Sequence, residues 1–118
     1  MNNDLALLME ENLAQVWSQR DASLRMKSLQ SLYADDAGLY HVGHQTTGLA
    51  AINDSVSNLH NNMPREFVFF KLKPVVINNN VGRLIWGMGA NSESPVATGM
   101  DVAFFEDGKI KSLYVFLD

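Results

Sequence analysis

Two side chains in this sequence have the chemistry to handle protons in apolar surroundings. Asp101 lies between Met100 and Val102, just ahead of Ala103-Phe104-Phe105. A carboxyl there is expected to be at least partly buried, and burial disfavours the anion and raises the pKa. An acid kept neutral near pH 7 can donate a hydrogen bond to a developing oxyanion. The same burial also suits a structural aspartate bonded to a helix or to backbone N–H groups, so both readings stand. His41 follows Gly38-Leu39-Tyr40 and has the side chain suited to a base near neutral pH. Strand alternation places Leu39 and His41 on one face and Tyr40 on the other. The alternative role is a hydrogen-bonded histidine at a pocket mouth with no proton to move. Trp17 closes an apolar helical stripe, as a core aromatic, as a cavity wall with an N–H donor, or as both.

Other chemistries lack the residues they need. His41 and His44 form an H-x-x-H pair, but on a strand and loop these positions are not held on one face, and no further ligand completes a zinc site. His60, late in a helix, reads as a solvated surface residue. The chain has no cysteine, hence no disulfide framework and no thiolate nucleophile or ligand. Neither a glycine-rich phosphate loop nor a serine–histidine–acid arrangement is present. No metal or cofactor is expected.

The 118 residues amount to one domain, 47% hydrophobic and 19% charged, a balance typical of a folded globular chain. Nine basic against thirteen acidic residues give a net charge of −4. That opposes a nucleic-acid binder, which needs a basic face, and a domain drawn to anionic lipid. No apolar run approaches the ~20 residues that span a bilayer, and Met1-Asn2-Asn3-Asp4 lacks the basic start of a secretion signal. The expected location is cytoplasmic.

The elements that must position these side chains follow from periodicity. Leu5, Leu8, Met9, Leu13, Val16 and Trp17 form the stripe of an amphipathic helix. Asp21 or Ser23 can cap a second helix with Ala22, Met26, Leu29, Leu32 and Tyr33 on its apolar side, ended by Ala34-Asp35-Asp36. A short strand over 38–42 and a loop with Gly43 and His44 follow. Thr46 or Thr47 then caps a third helix bearing Leu49, Ile52, Val56 and Leu59. Four β-rich runs come next, over 66–78, 81–90, 96–105 and 109–117, joined by turn chemistry at Asn78-Asn79-Asn80, Asn91 to Pro95 and Asp107-Gly108. They predict an antiparallel meander, with Pro74 at an edge or bulge. Helices followed by a long-stranded sheet give an α+β fold whose coiled sheet curls around the helices and encloses a pocket.

At this point the residues resemble a known superfamily. Trp17-Ser18-Gln19-Arg20-Asp21, Leu32-Tyr33-Ala34-Asp35-Asp36-Ala37 and Gly48-Leu49-Ala50-Ala51-Ile52 are similar to the nuclear transport factor 2-like (cystatin-like) fold, in its SnoaL-like polyketide-cyclase and ketosteroid-isomerase branch. So are Gly99 to Phe105, Asp107 to Ile110 and Phe116-Leu117-Asp118. The resemblance covers nearly all of residues 1–118 and implies one SnoaL-like domain, a cone of three helices on a curved antiparallel sheet. It leaves the reaction open, because the superfamily holds isomerases, cyclases, hydrolases and non-catalytic binders. It matches the branch's general-base aspartate to His41, its oxyanion tyrosine to Trp17, and its neutral acid to Asp101, which alone keeps the residue type.

Two functions from different classes follow as expectations. One is an isomerase or cyclase acting on an apolar, ketone-like small molecule, with His41 moving a proton and Asp101 stabilising an enolate-like oxygen. The other is a non-catalytic ligand-binding or interaction module. Trp17, Tyr33, Ile85, Gly87, Leu113 and Val115 are expected to line the pocket. If Ile85, Gly87 and Gly89 face inward, then Leu84, Trp86 and Met88 face outward beside Met100, Val102, Phe104, Tyr114 and Phe116, unless a bulge reverses that parity. So much outward apolar surface implies a homodimer through the outer sheet face.

Overall fold

The computed structural model describes residues 2–118, with side chains from Asp4 onward. Helix α1 (Asn2–Asn12) runs into a π-helical turn, Leu13–Trp17, closed by Ser18 N–H donating to the Leu13 carbonyl at 3.0 Å. The predicted stripe is the buried side: Leu8, Met9, Leu13, Val16 and Trp17 all enter the core. Helix α2 (Ala22–Leu32) starts where expected, because the Asp21 carboxylate accepts from the N–H groups of Ser23 and Leu24 at 2.9 and 3.1 Å. It stops at Leu32 rather than at 34–36, and Tyr33 already opens strand β1 (Tyr33–His41).

The expected loop after His41 is a hairpin. Gly43 takes φ 82°, and strand β2 (His44–Thr47) pairs antiparallel with β1. Thr46 and Thr47 therefore serve as strand residues. Helix α3 (Leu49–Asn61) begins at Gly48, φ 92°, with no side-chain cap. The run 66–78 is divided around Pro74 into β3 (Val68–Lys71) and β4 (Val76–Asn78), both paired with β5 (Val81–Gly89). Proline lacks the N–H that would continue the ladder. Strands β6 (Ala97–Glu106) and β7 (Lys109–Leu117) complete the predicted antiparallel meander.

The sheet order is β2-β1-β7-β6-β5-β3, with β4 also on β5. One pairing departs from the antiparallel expectation: β1 lies parallel to β7. A helix and five strands intervene in sequence between them, which permits this parallel contact. Register shifts between Tyr33 and Gly38 and between Phe104 and Phe105 bend the sheet. The π turn packs on β3, α1 on β5, and α2 and α3 on β1.

Register decides which side chains face the helices. Leu84, Asp101 and Val115 form one inward row, and Trp86, Gly99 and Leu117 the next. Met100, Val102, Phe104, Tyr114 and Phe116 face outward as expected. Ile85 and Gly87 were expected inward and are not: their partners are Met100 and Thr98, on the outer face. Strand β5 thus has the reverse parity, with Leu84, Trp86 and Met88 inside. Exposed Arg83 shares the parity of Ile85 and Gly87, and a charge with that parity is the sequence signal for the outer face.

Candidate functional site

Between the π turn, α3 and the inner faces of β3, β5, β6 and β7 lies a cavity of about 290 Å³. Its walls are mostly apolar: Leu13, Leu59, Phe69, Met88, Ala97 and Leu117 contribute. The polar groups among them come from Asp101, His41, Trp17 and Trp86.

Asp101 is 4% exposed. Trp86 Nε1–H donates to its Oδ1 at 2.9 Å, and no described residue hydrogen-bonds to Oδ2. Burial pushes the acid up to about 7, against the smaller opposing effect of the Trp86 hydrogen bond, which favours the carboxylate. At neutral pH the group therefore exists in both protonation states, and as an acid it can donate into the cavity. Gly99 makes this geometry possible. A Cβ there would run into the Trp86 ring and the Phe116 carbonyl, so the absence of a side chain at Gly99 leaves room for the indole that reaches Asp101.

Trp17 stands at the end of the π turn, an insertion that re-aims the side chains following it. Its ring makes edge contacts with His41 (6.3 Å between centroids) and Phe69 (6.2 Å), and Phe69 in turn meets Trp86 edge-on at 5.3 Å. Trp17 Nε1–H is buried and completes no well-formed hydrogen bond within the protein, although the Tyr33 hydroxyl lies close enough to attract it. Buried N–H groups are nearly always paired, so a donor left open in a cavity wall is a feature to explain. The Tyr33 hydroxyl donates to Asn12 Oδ1 at 2.5 Å, and its oxygen remains a weak acceptor for the Trp17 N–H and feels the Asp101 charge. Burial first, and then the Asp101 charge, push the Tyr33 phenol upward, so it stays protonated.

His41 is half-buried, and no described residue hydrogen-bonds to its ring. Burial, and secondarily His44, hold its pKa below the ordinary 6.5. It is therefore neutral at pH 7, the form that accepts a proton. Among the described residues no three of His, Asp or Glu cluster as a metal site.

Of the residues singled out in the sequence, His41, Asp101, Trp17 and Val115 line this cavity. Tyr33 and Leu113 are fully buried core residues that do not line it. Ile85 and Gly87 lie on the other side of the sheet, where the Phe70 ring occupies the space a Gly87 side chain would need. Trp86 and Phe69 are lining residues that the sequence reading missed. His60 is a further correction: far from being solvated, it is buried against Trp17 and Arg25. A wider cleft of about 430 Å³ opens on the outside between the β1–β2 turn and the end of β7, and His41 and Val115 border both spaces. It is the more open of the two and lacks Asp101 and Trp17, so the inner cavity is the candidate site.

No protein-family model matches the chain, and no curated protein matches it. Solved structures do. A candidate isomerase of the SnoaL-like family from Agrobacterium tumefaciens superposes with a TM-score of 0.87 at 20% identity, over 98% of both chains. A candidate polyketide cyclase from Sinorhizobium meliloti gives 0.73 at 19% identity, again over 98% of both. A de novo designed protein with a curved β-sheet gives 0.74 at 16% identity, over 100% of this chain and 88% of the other. At such identities the likeness is one of fold.

Proposed function

We propose, from a chain with the nuclear transport factor 2-like fold of SnoaL-like proteins, that it binds a small, largely apolar carbonyl compound in the inner cavity and shifts a proton on it. The observation that carries this reading is the buried Trp17 N–H that no protein group satisfies with good geometry, in the same apolar cavity as Asp101 and His41. A ligand oxygen there accepts from Trp17 Nε1–H and from protonated Asp101. Neutral His41 then takes a proton from the carbon beside the carbonyl, and the C–H electron pair moves onto the oxygen as an enolate. The two donors stabilise that oxyanion. The imidazolium returns its proton to another carbon of the same molecule, so the product is an isomer and nothing else is consumed.

The test is a screen of unsaturated ketones and polyketide-like compounds with wild type, His41→Ala and Asp101→Asn. Loss of the positioned base is expected to lower kcat by about 100-fold or more. Activity unchanged in both variants rejects the assigned roles. One observation favours the second reading, a non-catalytic binder: the Trp86 N–H already satisfies one Asp101 oxygen. In that case the same compounds bind to wild type and are recovered unchanged.

We also assign the outer sheet face to a second copy of the chain. Phe104, Tyr114 and Phe116 are exposed there beside Met100 and Val102, with Tyr40 stacked on Tyr114 at 4.5 Å. A twofold dimer needs only this one self-complementary patch.

A further inference from the structure

The last carbonyls of a helix have no partner within the helix, and that of Trp17 is met by a buried side chain. His60 Nε2 lies 2.7 Å from the Trp17 oxygen, and His60 Nδ1 lies 3.4 Å from Arg25 Nη1. Arginine has no acceptor, so Nδ1 must accept and Nε2 must carry the proton that it donates to Trp17. The tautomer of His60 is thereby fixed by Arg25.

Arg25 is itself fully buried and held without a carboxylate. Its Nε donates to Asn53 Oδ1 at 2.6 Å and its Nη1 to the Gln19 carbonyl at 2.6 Å. Nη2 donates to the Asn53 carbonyl at 3.3 Å and to Ser57 Oγ. With His60, these acceptors use all five N–H groups of the guanidinium. Asn53, Ser57 and His60 sit on successive turns of α3, so one helix face builds the whole clamp. On the other side of Trp17, Ser18 Oγ accepts from Phe69 N–H at 2.9 Å. The backbone carrying the indole is therefore pinned to α3 and to β3 at adjacent residues.

A buried indole free to shift would turn its N–H toward a protein acceptor, because an unmet donor is costly. Trp17 has the Tyr33 hydroxyl within reach but does not turn to complete a well-formed bond with it. We infer that His60 is a positioning residue, through which Arg25 and α3 hold Trp17 so that its N–H stays directed at a ligand oxygen in the cavity. This rests on the proposed ligand reading for its purpose, though the clamp itself can be measured separately.

The chain has two tryptophans, so protein labelled with 5-fluorotryptophan gives two fluorine resonances, assigned with Trp17→Phe. The probe is 4-nitrophenol, whose oxygen accepts from such donors. In His60→Ala the Trp17 resonance is expected to shift or broaden while that of Trp86 stays, with 4-nitrophenol binding weakened about tenfold, the effect of losing one well-placed hydrogen bond. His60→Gln, whose amide can donate to Trp17 and accept from Arg25, should restore both. A merely structural role would disturb the two tryptophans together. If His60→Ala does not fold, Ser57→Ala, which removes one acceptor of Arg25, is read in its place, and a selective Trp17 shift is again the supporting result. A Trp17 resonance unmoved in the folded variant overturns the inference. If 4-nitrophenol fails to bind wild type while the Trp17 resonance still responds and is restored by Gln, the ligand reading falls and the clamp stands.

Discussion

Burying Asp101 has a consequence for stability whose sign follows from its shift. The folded state holds the proton up to about pH 7, against an ordinary carboxyl value of 3.8. Stability from this group is therefore complete below pH 3.8 and declines as the pH rises toward 7, by on the order of 4 kcal/mol in all. Asp101→Asn removes that loss, so its melting temperature relative to wild type should climb between pH 5 and pH 8. A difference that stays constant across this range would show that the carboxyl is not buried as described. Activity should follow the same group. The proposed reaction needs Asp101 protonated and His41 neutral, which gives a narrow bell. Its acid limb lies below 6.5, set by His41, and its alkaline limb near 7, set by Asp101. In Asp101→Asn the alkaline limb should vanish from the kcat/KM profile, because an amide N–H donor does not titrate.

Within the elements, two local features hold the site. Asp21 satisfies two N–H groups at the start of α2, the helix that carries Arg25. Asp21→Ala should cost about 1 kcal/mol in a denaturant melt, the usual worth of such a cap. Gly99 leaves the room that Trp86 fills, and one obstacle to a larger residue is the Phe116 carbonyl of the neighbouring strand. Backbone cannot step aside as a side-chain tip can, so Gly99→Ala is expected to destabilise by about 1–3 kcal/mol. It should also free Asp101 from Trp86. A Gly99→Ala protein as stable as wild type would refute the close packing.

Across the molecule, opposing titrations act together. His60 is held below its ordinary 6.5 chiefly by burial, and its Nδ1 must stay free to accept from Arg25. Its contribution is present above pH 6.5 and is lost as the pH falls through the lowered value, the reverse of Asp101. The outer sheet face adds a prediction about assembly. Phe104→Glu, at a 41% exposed position, places a charge in the proposed dimer face. Light scattering should then find a monomer where wild type is a dimer, with the fold intact by circular dichroism. A monomeric wild type would dismiss the second copy as the occupant of that face.

Residue type and period were enough to find the helical stripe from Leu5 to Trp17, the Asp21 cap and the β5–β7 meander. They also picked out Asp101, His41 and Trp17, because an acid within an apolar strand, a histidine on a short strand and an indole ending a stripe are unusual in themselves. What they could not decide was which way β5 faces. Leu84, Trp86 and Met88 are as apolar as Ile85 and the glycines beside it, so alternation alone gives two equivalent faces, and pairing Leu84 with Asp101 selects one. The parallel contact of β1 with β7 and the meeting of Arg25 with His60, 35 positions apart, leave no local trace. Local sequence governs which backbone conformation is cheap; which distant polar groups must satisfy one another is settled when the helices close over the sheet.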